Sequence, residues 1–156
     1  MANDTVVAMG DFDFLVGSWN VLNRRLTKRL AGSNDWVEFT APATSWSVFD
    51  GMANIDEIVF PDGVKGLTLR LCNPATLEWS LYWSSSDTGV LFPPVVGRFT
   101  DGRGVFYGDD TEGGTPVRVR FVWSDITENS AHWEQAFSTD GGDTWELNWT
   151  MSFTRA

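Results

Sequence analysis

Five polar side chains occupy positions where the two-residue period of a β-strand places them on the same side as large apolar residues. They are Asn23, Arg25, Glu57, Tyr107 and Gln135. Burying an unpaired charge or amide is costly, so each of these groups needs a partner or a ligand. A desolvated carboxylate with a raised pKa can move a proton, while a phenol or guanidinium can stabilise an oxyanion. The set therefore predicts either the polar end of a binding pocket or acid–base chemistry.

The same alternation supplies an aromatic and aliphatic lining for these polar groups. Its members are Trp19, Trp46, Leu69, Trp83, Phe121, Trp123 and Trp149. A concave site with apolar walls and a few convergent polar groups is the usual form of a small-molecule pocket. We therefore expect a hydrophobic or aromatic small molecule to bind among these side chains, oriented by some of the five polar groups. The competing interpretation is that the aromatic side chains simply fill a packed core.

Other interpretations of the same residues stay open. In one, the protein is a cofactor-independent enzyme such as an isomerase, cyclase or dehydratase, in which Glu57 transfers a proton and Tyr107 or Arg25 stabilises an oxyanion. In another, Trp36 and Trp46 face outward and form a protein-interaction surface. Arg25 and Glu57 can also form a purely structural ion pair, and a β-bulge would move either residue to the outer face.

Composition and charge narrow the classes of partner. Eleven Lys and Arg against twenty-one Asp and Glu give a net charge of −10, which repels nucleic acid and anionic membrane surfaces. A single cysteine, Cys72, and a single histidine, His132, exclude an internal disulfide and a Cys/His zinc cluster. Residues 1–13 contain no basic segment followed by an apolar stretch, so we expect no secretion signal, and no apolar run is long enough to cross a membrane. We expect a cytoplasmic protein with no metal, cofactor, nucleic-acid or membrane partner, and leave a homodimer open.

Strand-like segments that alternate with turn signals must position these residues. Ten strands are predicted at about 18–28, 36–48, 52–60, 65–72, 77–84, 95–100, 103–109, 116–124, 131–138 and 145–154. A short helical turn is expected near 11–16. Short strands with hairpin connections predict an all-β, antiparallel up-and-down barrel of about 8–10 strands, because closure removes exposed edges; a sandwich is the alternative. We expect one domain over 1–156, with residues 1–10 flexible.

The segment from Ser138 to Trp145 resembles an Asp-box, Ser-x-Asp-x-Gly-x-Thr-Trp. In such a hairpin the Asp side chain accepts hydrogen bonds from the turn, Gly adopts positive φ and Trp packs beneath. We therefore interpret it as a structural hairpin and not as a glycosidase site.

The segment from Asp11 to Trp19 resembles the opening of lipocalin and fatty-acid-binding-type barrels, the calycin group. Almost the whole chain is similar to an uncharacterised bacterial family of single-domain calycin-like barrels, on the stretches 12–19, 54–57, 69–76, 93–97, 105–110 and 133–149. The resemblance implies a short helix that plugs one end, Trp19 across the base, and a cavity, but no particular reaction. In fatty-acid-binding barrels an interior arginine favours a carboxylate, a role that would suit Arg25. Their Arg-x-Tyr pair in the closing strands is absent from this sequence.

Overall fold

The computed structural model describes residues 8–156, and the observations below concern these residues. They form two short 3-10 helices, Asp13–Leu15 and Phe49–Gly51. They also form ten β-strands: β1 (Gly17–Leu26), β2 (Trp36–Val48), β3 (Ala53–Val59), β4 (Lys65–Asn73), β5 (Glu78–Ser85), β6 (Val95–Thr100), β7 (Arg103–Glu112), β8 (Thr115–Ser124), β9 (Ser130–Ser138) and β10 (Glu146–Arg155). Within residues 8–156 there is no helix long and apolar enough to span a lipid bilayer.

Each strand pairs antiparallel with the strand that follows it in sequence, and β10 pairs with β1 to close a ten-stranded ring. The closing register sets Val21 opposite Phe153 and Arg25 opposite Trp149. A closed ring protects the strand edges that an open sheet would leave unpaired. The predicted all-β, antiparallel up-and-down barrel is confirmed, and the closure excludes the sandwich alternative.

The segment before β1 plugs one end of the barrel. Phe12 is buried among aromatic rings, with centroid distances of 4.9 Å to Trp79 and 5.0 Å to Phe99. Trp19 Nε1 donates a hydrogen bond to the Leu15 carbonyl oxygen at 2.8 Å. The predicted helical turn therefore exists, as Asp13–Leu15, and its apolar side chains form the floor of the barrel interior.

Further hydrogen bonds fix this plug to the last strand and to the 3-10 helix Phe49–Gly51. Arg155, near the end of β10, donates to the carbonyl oxygens of Val16 at 2.6 Å and Phe14 at 2.9 Å. The backbone N–H of Gly10 donates to the carbonyl oxygen of Gly51 at 2.9 Å. Residues 8–10 are thus held against the barrel, while the flexibility predicted for residues 1–7 concerns residues outside those described.

The sequence-predicted inner faces of β1, β5, β8 and β9 agree with the structure. Their inward positions include Trp19, Asn23, Trp79, Leu81, Val119, Trp123, Trp133 and Gln135, all of which are buried. Strict two-residue alternation along these strands explains the agreement.

The faces of β3 and β4 are reversed relative to the prediction. Asp56 and Arg70 are buried inside the barrel, whereas Glu57 is exposed and Leu69 lies on the outer face. The prediction assigned the leucine-bearing side of β4 to the interior. It was wrong because the buried side carries opposite charges that satisfy each other, and hydropathy alone cannot recognise such a face as interior.

The faces of β7 are also reversed, and glycine is the reason. The inward positions are Gly104, Phe106 and Gly108. Because two of these three residues have no side chain, the face with Val105 and Tyr107 looks more apolar in the sequence and was predicted to be the inner one. A Cβ atom at Gly108 would lie 2.4 Å from the carbonyl oxygen of Pro94, so the inner side of β7 must stay bare where the chain before β6 crosses it.

A β-bulge near the start of β10 shifts the register between Leu147 and Trp149. Asn148 is consequently buried, while Leu147 is partly exposed despite its predicted inward parity. Beyond the bulge, Trp149, Met151 and Phe153 face inward as predicted. The predicted inner face of β10 is therefore wrong before the bulge and correct after it, because the bulge adds one residue to the strand.

Candidate functional site

The barrel contains a cavity of about 470 Å³, which lies within the range of roughly 300–1,000 Å³ usual for small-molecule sites. It starts above the plug and reaches exposed residues of the β3–β4 and β5–β6 connections, including Asp62 and Asp87, so it opens to solvent at the end opposite the plug. Its aromatic walls include Phe60, Trp83, Phe121, Trp123, Trp133 and Trp149.

Neighbouring rings of the wall stand nearly perpendicular to one another. The centroid of Trp149 lies 5.9 Å from Trp83 and 5.5 Å from Trp133, each with an interplanar angle of 86°. Phe121 and Trp133 are 5.1 Å apart at 76°. Edge-to-face contact is favoured by the ring quadrupoles, so these side chains hold one another in place without a guest.

A buried polar cluster lies on the wall formed by β2, β3 and β4. Arg70 donates from Nη2 to Asp56 Oδ2 at 2.6 Å and from Nη1 to Asn54 Oδ1 at 2.8 Å. Ser45 Oγ also donates to Asn54 Oδ1, at 3.1 Å. Arg70 and Asp56 both border the cavity. Because the two side chains form an ion pair, the positive charge of Arg70 is balanced by the negative charge of Asp56.

Arg25 lies higher in the cavity and is surrounded by aromatic rings. Its Cζ atom is 5.0 Å from the ring centroid of Trp149, 5.1 Å from Phe39 and 5.8 Å from Phe60. Burial lowers the pKa of this guanidinium, and the negative charge of Asp62 opposes that shift. Within residues 8–156 Arg25 has no ion pair under 4.0 Å, so cation–π contacts are its principal stabilisation.

The rim of the cavity is mostly acidic. Arg29 lies 3.6 Å from Glu112, and burial lowers the pKa of Arg29 while Glu112 opposes that shift. Asp62, Asp87 and Asp110 also border the opening. Together with the interior pair described above, the lining carries five carboxylates against three arginines.

Side-chain amides link β1, β9 and β10 behind the wall. Asn23 Oδ1 accepts a hydrogen bond from Trp149 Nε1 at 3.0 Å, and Gln135 Nε2 donates to Asn148 Oδ1 at 2.8 Å. These contacts fix the ring of Trp149 and the amide of Gln135, both of which line the cavity.

Half of the residues predicted to bind a ligand line this cavity: Arg25, Trp83, Phe121, Trp123, Gln135 and Trp149. Trp19 and Asn23 are buried but do not border it. Trp19 packs at the floor, and Asn23 supports Trp149.

Trp46, Glu57, Leu69 and Tyr107 lie outside the cavity. Trp46 is 50% exposed and Tyr107 is 39% exposed, while Glu57 is exposed and Leu69 faces outward. The expected convergence of Glu57, Tyr107 and Arg25 is therefore wrong, because only Arg25 faces the interior. Reversal of the β3, β4 and β7 faces accounts for Glu57, Leu69 and Tyr107, and the outward parity of β2 accounts for Trp46.

Sequence reasoning did not select Arg70 and Asp56, the buried pair of the cavity. A usable signal was the turn Pro61-Asp62-Gly63, which sets Asn54 directly opposite Arg70 across the β3–β4 hairpin. Alternation then places Asp56 on the same face, so one hairpin carries an amide, a carboxylate and a guanidinium on one side.

The single histidine and the single cysteine do not line the cavity. His132 lies on the outer wall, 3.5 Å from Ser152 and Glu134. Cys72 is a buried free thiol, and burial raises its pKa. In the part of the chain described, no three His, Cys, Asp or Glu side chains are grouped to hold a metal ion.

Comparison with known proteins supports the fold alone. No family model and no curated protein matches the chain. The crystal structure of Rv2717c from M. tuberculosis superposes with a TM-score of 0.61 and 12% sequence identity, covering 96% of this chain and 97% of that one. The chain is thus similar over nearly its full length to another protein of the same barrel architecture.

Proposed function

We propose that this barrel binds a hydrophobic or aromatic small molecule in its interior, as a lipocalin-like carrier or sensor. The observation that carries the proposal is the cavity of about 470 Å³ with aromatic walls. Narrow barrels can be filled by their own side chains, so an interior that stays hollow beside six large rings favours a guest.

The arrangement of the wall supports binding with little reorganisation. Trp149 is fixed by Asn23, and its contacts with Trp83 and Trp133 hold those rings at right angles to it. A preorganised site avoids the entropy cost of ordering side chains when the ligand arrives.

The enzymatic alternative depended on an arrangement of residues that is not found in the cavity. It required Glu57 as an interior acid or base and Tyr107 nearby, and both lie on the outer wall. The interior carboxylate is Asp56, which is held in an ion pair by Arg70. Binding is therefore the better-supported function.

Titration with the neutral fluorophore N-phenyl-1-naphthylamine tests the proposal. Its emission rises in apolar surroundings, so we expect saturable enhancement with one site per chain. Val119→Trp, which fills the cavity, should abolish the enhancement, whereas the control Leu22→Trp, at a side chain that is 41% exposed on the outer wall, should retain it.

Ala43→Leu, a smaller intrusion into the same cavity, serves if Val119→Trp does not fold. Absence of saturable binding to the wild type, or equal binding by the filled variants and Leu22→Trp, would refute the proposal.

A further inference from the structure

The indole N–H groups of the cavity form an unusual set. Three tryptophans donate to fixed acceptors: Trp19 to Leu15, Trp79 to Ala8 and Trp149 to Asn23. Three wall tryptophans, by contrast, have no hydrogen-bond acceptor among residues 8–156. These are Trp83, Trp123 and Trp133, each of which lines the cavity.

Trp123 and Trp133 are the most informative of the three because they are only 2% and 7% exposed. Within the described chain, the side-chain nitrogens that are sealed from solvent without a partner are Arg70 Nε and Asn148 Nδ2. The indole nitrogens of Trp123 and Trp133 are not in that sealed set, so they remain accessible. Both side chains are buried and both line the cavity, so a ligand would contact them from the barrel interior.

The two indoles are also brought together by the sheet. Trp123 on β8 pairs directly with Trp133 on β9, and directly opposed inward residues on neighbouring strands have Cβ atoms about 4.5–5.5 Å apart. The guanidinium of Arg70 lies 5.6 Å from the Trp123 ring centroid. Its Nε–H also lacks a partner, but that atom is sealed from solvent, so the donors that a ligand could use are the two indole N–H groups.

This region of the cavity therefore presents two unpaired indole donors, while the neighbouring Asp56 carboxylate already accepts a hydrogen bond from Arg70. Buried donors left unpaired cost free energy, and a ligand that supplies acceptors recovers it. The charge of Arg70 is already compensated by Asp56, so the acceptor needs no negative charge. Five carboxylates against three arginines in the whole lining oppose an anionic guest.

From this geometry we infer that the ligand is a neutral, flat, ring-containing molecule with a carbonyl oxygen that accepts hydrogen bonds from Trp123 and Trp133. The inference rests on the proposed binding function and names the chemical class of its ligand. The perpendicular wall rings suit a flat guest, because they can meet it edge-to-face. An alkyl-chain carboxylate would add a negative charge to a lining with five carboxylates and three arginines, and it has no flat ring for the wall to contact.

Three tricyclic probes of nearly equal size separate these contributions: 9-fluorenone, fluorene and fluorene-9-carboxylate. They carry a neutral acceptor, no acceptor and an anion, respectively. Binding is measured on the full chain by quenching of tryptophan emission and by calorimetry. We expect 9-fluorenone to bind about tenfold more tightly than fluorene, the effect of one or two net hydrogen bonds, and the carboxylate to bind most weakly.

Trp123→Phe and Trp133→Phe remove the N–H groups while keeping an aromatic ring. Each variant should reduce the preference for 9-fluorenone over fluorene at least threefold and leave fluorene affinity nearly unchanged, so a folding defect, which lowers both, is recognised. Trp46→Phe on the outer wall is the matched control and should keep the wild-type preference.

The outcomes distinguish the two levels of the proposal. Equal affinity for 9-fluorenone and fluorene, an unchanged preference in both cavity variants, or tightest binding of the carboxylate would overturn the inferred ligand class and leave the binding function standing. Failure of all three probes together with N-phenyl-1-naphthylamine would overturn both.

Discussion

Arg70 and Asp56 form an ion pair of 2.6 Å inside the barrel, where both side chains are almost completely buried. Neither charge could remain there alone, because desolvating an unpaired ion costs several times more than a neutral hydrogen bond returns. The pair therefore couples the stability of the β3–β4 hairpin to the polarity of the cavity wall.

Replacing Arg70 by Met is expected to destabilise the protein by about 3–5 kcal/mol, because the Asp56 carboxylate would be left buried and unpaired. Urea denaturation at neutral pH measures this change. The double variant Arg70→Met, Asp56→Leu removes both charges and should recover most of the loss. A double variant no more stable than Arg70→Met would contradict this account.

Trp149→Phe is expected to cost about 1–3 kcal/mol, since it removes the donor that satisfies Asn23 Oδ1 inside the barrel. Thermal or urea unfolding reports the difference. Trp46→Phe, a change of the same size at a side chain that is 50% exposed, should stay within about 0.5 kcal/mol of wild type. Equal effects of the two substitutions would show that the buried hydrogen bond contributes nothing.

The Asp-box hairpin predicts a specific acid sensitivity. Hydrogen bonds from the Ser138 and Thr144 hydroxyls and from the Thr144 N–H lower the pKa of Asp140 far below its usual value. A lowered pKa in the folded state gives stability that is present above the unfolded-state pKa of about 3.9 and is lost as the pH falls below it. Asp140→Asn should therefore flatten the decline of Tm between pH 5 and pH 3, expressed as a difference from wild type.

Asp143→Asn is the control for that measurement, because Asp143 lies in the same turn and makes none of these hydrogen bonds. Its Tm should decline with pH as steeply as that of wild type. An Asp140→Asn curve parallel to both would remove Asp140 as the source of acid sensitivity.

Cys72 is expected to resist thiol reagents in the folded protein. Burial, and secondarily the negative charge of Asp11, raise the pKa of its thiol and deplete the reactive thiolate. With Ellman's reagent at pH 8, the native protein should react only as fast as it opens, whereas the protein in urea should react at once. A native reaction as fast as the denatured one would mean that Cys72 is accessible.

Sequence patterns predicted the fold correctly because hairpin turns and two-residue alternation are local signals. On β8, for example, Val119, Phe121 and Trp123 alternate with Arg118 and Arg120; Val119 and Trp123 are buried, whereas both arginines are only partly buried. The number of strands and the antiparallel order follow from the turns between them.

Two-residue alternation failed to identify the inner face where both faces of a strand are about equally apolar. Trp46, Ile55 and Leu69 occupy paired outward positions on β2, β3 and β4, so the outer wall is as apolar there as the inner one. The inner wall holds Arg70 and Asp56, whose burial depends on a partner in another strand. Information of that kind lies in the pairing of strands and not in any single segment.

The plug has a kinetic consequence. Arg155 ties it to the seam between the first and last strands, so the floor cannot part without breaking the ring. Uptake and release of the proposed guest would then use the same passage, at the rim. Substitutions in the connections around that rim should change the association and dissociation rates in equal proportion. The equilibrium dissociation constant, which depends on contacts with the tryptophan walls, should then stay unchanged.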